Sequence, residues 1–377
     1  MKKFKKAISV IIAVVMVVSI FSALPLTVNA VGNILRKAPT VVSGDYQYEV
    51  RDDGTAAIDE YLGSDKNVVI PGKIDGYAVS RIGYESFKDC TSIESVIIPD
   101  GVTYIGMDAF RNCTNLKSIT IPDTVNEIGM LAFQDTAWLE NQRDDVVYAG
   151  KVVYTCKGEM PVYTNLTLKS DTTGIADKAF AKQENLYRII IPDSVSVIGY
   201  GAFDGCTNLI SVNIPDGVST IDGNVFRGCK SLGDIVIPNS VKVIEYDAFQ
   251  DCSSLKSLTI PYSVTTIRRF SVGYGYDYSV FQKVKYEDFT IKGFKGTAAE
   301  EYAEEFGFEF VALSDREFGD VNGDGVLSVT DATVIQKYAA SFEKFTAEQL
   351  VIADYNRDGA VNVNDATEIQ RALVSGK

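Results

Sequence analysis

The sequence predicts a repeat solenoid in which each unit of 23 residues supplies one short β-strand and one helical or 3₁₀ turn, with a small all-α unit at the C-terminal end. Two columns of residues carry the first part. Phe87, Phe110 and Phe133, then Phe180, Phe203, Phe226 and Phe249, stand 23 residues apart within each group; Pro99 and Pro122, then Pro192, Pro215, Pro238 and Pro261, keep the same step. A fixed period of this length marks a solenoid, because one unit cannot bury its apolar face alone and needs neighbours stacked on it. The all-α unit rests on a duplicated acidic segment, DVNGDGVLSVTD and DYNRDGAVNVND, whose first residues lie 34 apart and which are each followed by an apolar-periodic run.

Lys2, Lys3, Lys5 and Lys6 lead into an apolar run from Ile8 to Leu24, and TVNA places Val28 and Ala30 at small-residue cleavage positions. Residues 1–30 therefore read as a secretory signal peptide. An uncleaved membrane anchor is the competing reading, since the run approaches spanning length; either sends the remainder outside the cell. Without those four lysines the chain has 32 basic against 50 acidic residues, a net charge of about −18. Such a surface argues against nucleic acid and against an anionic membrane as partner. Residues 31–44 read as a tether. In residues 45–80, DYQYEVRDDGTAAIDEY alternates apolar and polar residues around Asp53 and Gly54, a hairpin signal. This is the expected amino-terminal β cap, covering an open solenoid edge.

Residues 81–290 are the repeats. In one unit Leu116, Ile119, Ile121, Val125, Ile128, Ala132 and Phe133 point inward. The β-branched LxxIxIP run reads as a strand that proline ends, having no N–H for a ladder. The segment from Gly106, Gly129 or Gly199 through Ala-Phe to Cys reads as the turn that returns the chain. The unit IPxxVxxIGxxAFxxCxxL resembles the BspA-type leucine-rich repeat of bacterial surface proteins, over roughly residues 45–313. Between Phe133 and Phe180 the step is 47, and DDVVYAGKVVYTCKG, joined at Ala149 and Gly150, reads as a hairpin replacing one coil's return, with Trp138 packing it onto the solenoid.

Cys90, Cys113, Cys206, Cys229 and Cys252 each follow a repeat phenylalanine by three residues and so line one column. Equivalent residues of adjacent coils lie about 5 Å apart, which permits a disulfide in an exported protein. The odd number in the column, and Thr136 or Gln183 at the same position, favour free buried thiols. After Pro261 the repeat degenerates around Tyr274, Tyr276 and Tyr278, whose rings on a glycine-rich turn form a candidate ligand surface beside the plainer reading of loop packing. Residues 291–313 give a helix pattern and a final strand, the C-terminal cap; residues 314–318 read as a linker.

Residues 319–377 carry the clearest chemistry. Asp320, Asn322 and Asp324 fall at loop positions 1, 3 and 5, Ser328 at 9 and Asp331 at 12, around Gly325. Asp354, Asn356, Asp358, Asn362 and Asp365 repeat the pattern around Gly359. With the position 7 carbonyls of Val326 and Ala360, each loop offers oxygen ligands of the kind that Ca²⁺ gathers in about six to eight; two ions are expected. Aspartate rather than glutamate at position 12, and no helix-forming segment before the first loop, depart from an EF-hand. The two-copy loop-helix arrangement resembles a dockerin module. That resemblance implies calcium-dependent folding, a cohesin module of a scaffoldin as partner, and recognition through Val329, Thr330, Gln336 and Lys337 or, equivalently, Val363, Asn364, Gln370 and Arg371.

Three function classes follow. The first is a secreted, non-catalytic binding or display protein mounted on an extracellular, cellulosome-type complex, with a protein or glycan ligand on solvent-facing strand positions such as Lys117, Ser118, Thr120, Tyr187, Arg188, Ser211 and Asn213. The second is a cell-surface adhesin. The third, an enzyme, is disfavoured: the absence of histidine removes Ser-His-Asp, Cys-His and HExxH chemistry. A carboxylate-based glycosidase needs no histidine, but repeats, caps and tail account for almost every segment.

Overall fold

The computed structural model describes residues 40–375; the expected signal peptide lies outside the described residues. Short strands stack in parallel from coil to coil. On one side Asn67–Val69, Ser95–Ile97 and Ser118–Thr120 form a ladder, and after the interruption Thr164–Thr167, Leu186–Ile190 and Ser211–Val212 form another. A second ladder, which the sequence reading does not anticipate, runs through the xxIG segments: Tyr77–Ile82, Tyr104–Ile105 and Glu127–Ile128, and later Thr220–Ile221, Val243–Ile244 and Thr266–Ile267.

The return side is a run of i to i+3 turns, as in Lys88 N–H to Glu85 O, Cys90 N–H to Phe87 O and Ile93 N–H to Cys90 O. Each turn pair flanks the repeat phenylalanine with two left-handed residues, such as Asp108 and Asn112 around Phe110 or Asp247 and Asp251 around Phe249. Asp, Asn and Gly dominate the second of these positions because they tolerate positive φ best. The left-handed kinks aim successive N–H groups at the neighbouring coil: Phe87 donates to Ala109 O at 2.8 Å, Phe110 to Ala132 O at 2.7 Å and Phe203 to Val225 O at 2.9 Å. Main-chain groups that would be orphaned in an isolated coil are thereby satisfied by stacking.

The core is one continuous cluster along the solenoid. The repeat phenylalanines are fully buried and stack at centroid distances from 4.8 to 5.6 Å, in a run from Phe87 to Phe133 and another from Phe180 to Phe249. Tyr61 of the cap continues the first run, 5.1 Å from Phe87. Cβ-free positions let the coils approach: a Cβ on Gly129 would lie 2.4 Å from Met107 N, and one on Gly106 would lie 2.6 Å from Gly83 C. Gly129→Ala should force adjacent backbones apart and cost about 1–3 kcal/mol, as overpacking does, read as a lower urea midpoint with an unchanged slope.

At the interruption the expected hairpin is present, Val146–Ala149 against Val152–Cys156. Its Tyr154 hydroxyl accepts the Phe133 N–H at 3.0 Å, taking the place of the carbonyl that a regular coil would supply. Helix α1 (Ala137–Glu140), capped by the Thr136 hydroxyl, carries Trp138 against the rings of Phe133 and Tyr154 at 5.2 and 6.2 Å. Trp138 is thus a packing residue of the interruption.

The ends differ in detail from the expectation. The cap hairpin Tyr46–Val50 and Ala56–Tyr61 forms, but Val41–Ser43, read as tether, adds a third antiparallel strand. At the other end α2 (Ala298–Phe306) packs over the last coils, and the strand Glu309–Glu317 runs through the segment read as a linker. The tail holds α3 (Val329–Ala339), α4 (Ala347–Ala353) and α5 (Val363–Ser375) around a small separate core of Val321, Ala332, Ile335, Ala353, Ala366 and Ile369. Among the described residues no helix is long and apolar enough to cross a membrane.

All six cysteines are free. In the column four of the five thiols donate to a phenylalanine carbonyl of the preceding coil: Cys113 to Phe87 O at 3.0 Å, Cys206 to Phe180 O at 3.1 Å, Cys229 to Phe203 O at 3.3 Å and Cys252 to Phe226 O at 3.1 Å. Burial pushes the Cys113 and Cys206 thiols up to about 12 and that of Cys229 well above its ordinary value. Alkylation at pH 8 should label only Cys90 and Cys156, which are half-buried, in the native chain and all six in denaturant without reductant. Mass spectrometry reads the count, and fewer than six labels in denaturant would mean disulfides.

Candidate metal centre and docking faces

The two acidic loops fold alike, with nearly the same hydrogen bonds. In the first, Asp320 Oδ1 accepts from the N–H of Gly323 and Asp324, and Oδ2 from Gly325. In the second, Asp354 Oδ1 accepts from Asp358 and Oδ2 from Gly359. Position 12 closes each loop: Asp331 accepts from Asn322 and Ser328, and Asp365 from Asn356 and Asn362, at 2.8 to 3.1 Å. Asp331 is also the N3 partner of the Ser328 capping box that starts α3. The short aspartate at position 12 therefore closes the loop and initiates the helix together.

Asp320, Asp331, Asp354 and Asp365 are at most 2% exposed. Burial, with the Asp354 and Asp358 carboxylates nearby, holds the Asp365 carboxyl above its usual range. Buried carboxylates held by main-chain N–H groups and by the Ser328 and Tyr262 hydroxyls call for a cation, and glycine at position 6 in the left-handed region, Gly325 at φ 84° and Gly359 at φ 92°, makes the sharp turn of an oxygen-ligand loop. The donor set fits Ca²⁺. Among the described residues no group of three or more His, Cys, Asp or Glu side chains converges as a metal site by itself. An ion here would draw also on Asn322, Asn356, Ser328, Asn362 and the carbonyls of Val326 and Ala360.

Val329, Thr330, Gln336 and Lys337 are all exposed on α3, and Val363, Asn364, Gln370 and Arg371 are all exposed on α5. The two helices pack against each other and leave these residues in solvent, with Lys337 paired to Glu343 at 3.4 Å and Arg371 to Glu368. The tyrosine cluster divides. Tyr274 is buried, edge-on to Phe270 at 5.1 Å and Phe308 at 5.5 Å, and is corrected from ligand surface to core. Tyr276 and Tyr278 pair at 4.8 Å on a protruding hairpin, with Tyr278 72% exposed.

Lys117, Ser118, Thr120, Arg188, Ser211 and Asn213 are exposed on the strand face and Tyr187 is half-buried. Asn213 also serves the fold, since its amide bonds both N–H and C=O of Ile191. Near the tail this face forms a groove of about 1010 Å³, with Ser211, Asn213, Val236 and Thr259 in it and Leu313 and Val351 at one side. A smaller cleft of about 330 Å³ opens at the interruption and holds Cys156, Lys157, Asp177 and Lys178. Its polar groups are already engaged: Lys178 with Asp204 at 2.7 Å, Lys157 with the carbonyls of Glu140 and Gln142, and Asp177 with the N–H of Tyr200 and Met130. Burial raises the Asp177 carboxyl to about 6, yet both its oxygens bridge coils rather than face the cleft as a free acid or base.

The chain is a BspA-type leucine-rich repeat protein: the family model of the BspA type leucine-rich repeat region matches in six copies over residues 80–146 and 153–273. At its C-terminal end it carries a dockerin type I domain, matched over residues 318–374. No curated protein matches the sequence. Among solved structures, a leucine-rich repeat protein of T. pallidum is 28% identical, covering 58% of this chain and 91% of that one, at a TM-score of 0.30. One from Bacteroides ovatus is 24% identical, covering 72% and 67%, at 0.30. A leucine-rich cell surface protein from Faecalibacterium prausnitzii is 20% identical, covering 63% and 97%, at 0.23. Both domain types are non-catalytic and typical of extracellular, cell-surface proteins; a dockerin typically binds calcium and implies a cohesin module as partner.

Proposed function

We propose that this is a secreted, non-catalytic display protein, attached to a cellulosome-type scaffold by calcium-dependent binding of its dockerin to a cohesin, with the repeat domain presenting a ligand surface outward. The observation that carries the reading is the pair of matched loops, each followed by a helix that leaves its four recognition positions exposed. Copy one presents Val, Thr, Gln and Lys, copy two Val, Asn, Gln and Arg. Both sets pair an apolar and a small polar contact with an amide and a cation, so either helix can meet the same partner surface. Two Ca²⁺ ions, one per loop, would hold the faces in place.

The strand-face groove is the ligand surface this reading favours over the tyrosine hairpin. It is continuous across several coils and lined by small polar and β-branched side chains, which suits an extended protein or glycan segment. The competing reading, an adhesin on the cell surface, predicts attachment that survives chelation. The test is binding of the chain from Val31 onward to immobilised cohesins with calcium and with chelator, against the chain truncated after Glu317. Calcium-dependent capture that the truncation abolishes supports the proposal; no capture by any cohesin class overturns it.

A further inference from the structure

The two loops carry the same side chain at ligand positions 1, 3, 5 and 12 but differ most in size and charge at positions 2 and 4, which are Val321 and Gly323 in the first and Tyr355 and Arg357 in the second. Those two residues lie where the tail meets the solenoid. The Arg357 carbonyl accepts from Lys242 Nζ at 2.6 Å, its guanidinium donates to Val264 O at 3.5 Å, and the same guanidinium lies 5.1 Å over the Phe318 ring. Phe318 is stacked between Tyr355 at 5.9 Å and Tyr262 of the last repeat at 5.6 Å. The Tyr262 hydroxyl donates to Asp354 Oδ2, the first ligand position of the second loop, at 3.4 Å.

Arg357 holds φ at 61°, in the left-handed region where copy one has Gly323 at φ 76°. A non-glycine residue there is strained; glycine would relieve that strain, and the contacts to the solenoid explain the arginine. We propose that the second calcium loop is a seat that docks the dockerin on the end of the solenoid in one fixed orientation, so that calcium loading of that loop and docking stabilise each other. The proposal rests on the calcium reading of the loops. Both recognition faces stay exposed in the seated arrangement, so a cohesin bound to either would hold the solenoid at one of two defined angles instead of on a loose tether.

The test uses the full chain and two variants that touch the seat from opposite sides, Arg357→Gly and Lys242→Ala. Glycine at this loop position is already accommodated in copy one, so loss of folding is not expected. Calcium titration by calorimetry should show one of two ions bound about fivefold or more weakly in each variant, the scale of an ordinary coupling between sites, with the other ion unchanged. Small-angle X-ray scattering in calcium should show a larger maximum dimension for both variants than for the parent chain, and chelator should extend the parent likewise. Variants that match the parent in isotherm and scattering overturn the seat. A parent chain that binds no calcium overturns the calcium reading and the coupling with it, and scattering of the variants then decides the docking contact alone.

Discussion

Phe203→Ala should lower the stability of the repeat domain by about 3–5 kcal/mol, the cost of removing a fully buried ring and leaving a cavity. Phe203 is fully buried and stacked 5.4 Å from Phe180 and 5.6 Å from Phe226, both at an interplanar angle of 3°. The deletion therefore strips one face from each of two further rings. In a solenoid, stability is roughly the sum of unit terms and nearest-neighbour terms, so the damage lands on three coils and two interfaces. Urea unfolding followed by far-UV circular dichroism should show a lower midpoint and a broadened or split transition, because the coils on either side become partly uncoupled. Val236→Ala is the control: that side chain is 76% exposed and its loss should cost no more than about 0.5 kcal/mol. Equal effects of the two substitutions would contradict a core organised on the phenylalanine column.

Asp320→Ala combined with Asp354→Ala should abolish calcium-dependent folding of the tail and leave the solenoid intact. Each aspartate orders its own loop by accepting two or three main-chain N–H groups, and each would supply carboxylate oxygen to the ion. The tail core is small, and a domain of about this size commonly draws much of its stability from a staple such as metal. Calorimetry should show two ions for the parent, one for either single variant and none for the double variant. Helical ellipticity should fall in the parent on chelation, whereas the double variant should be low with or without calcium. Full helicity of the parent in chelator would refute the dependence.

Much of this was legible because it is local chemistry at fixed spacing. The phenylalanine and proline columns imply stacking wherever they occur, and the thiol column implies a repeated pocket, realised as four sulfur-to-carbonyl hydrogen bonds. The left-handed positions two residues after each phenylalanine carried a signal that could have been read, since Asp, Asn or Gly fills them at Asp89, Asn112, Asp135, Gly205, Gly228 and Asp251. The second ladder was less visible, because its two-residue strands are too short to show alternation and are held by the neighbouring coil.

The sequence by itself determined the solenoid, the interruption between Phe133 and Phe180 and the two acidic loops, since each depends on residues within one repeat of one another. Only the tertiary structure decided that Tyr274 is core, that residues 41–43 and 314–317 are strand, that α4 forms, and that the second loop meets the repeats. Lys242 and Arg357 are 115 residues apart, and Tyr262 and Asp354 are 92 apart. No periodicity spans those separations. Whether a tyrosine is surface or core, or a short run is linker or strand, depends on which surface the rest of the fold brings against it, and that is a property of packing, not of the segment.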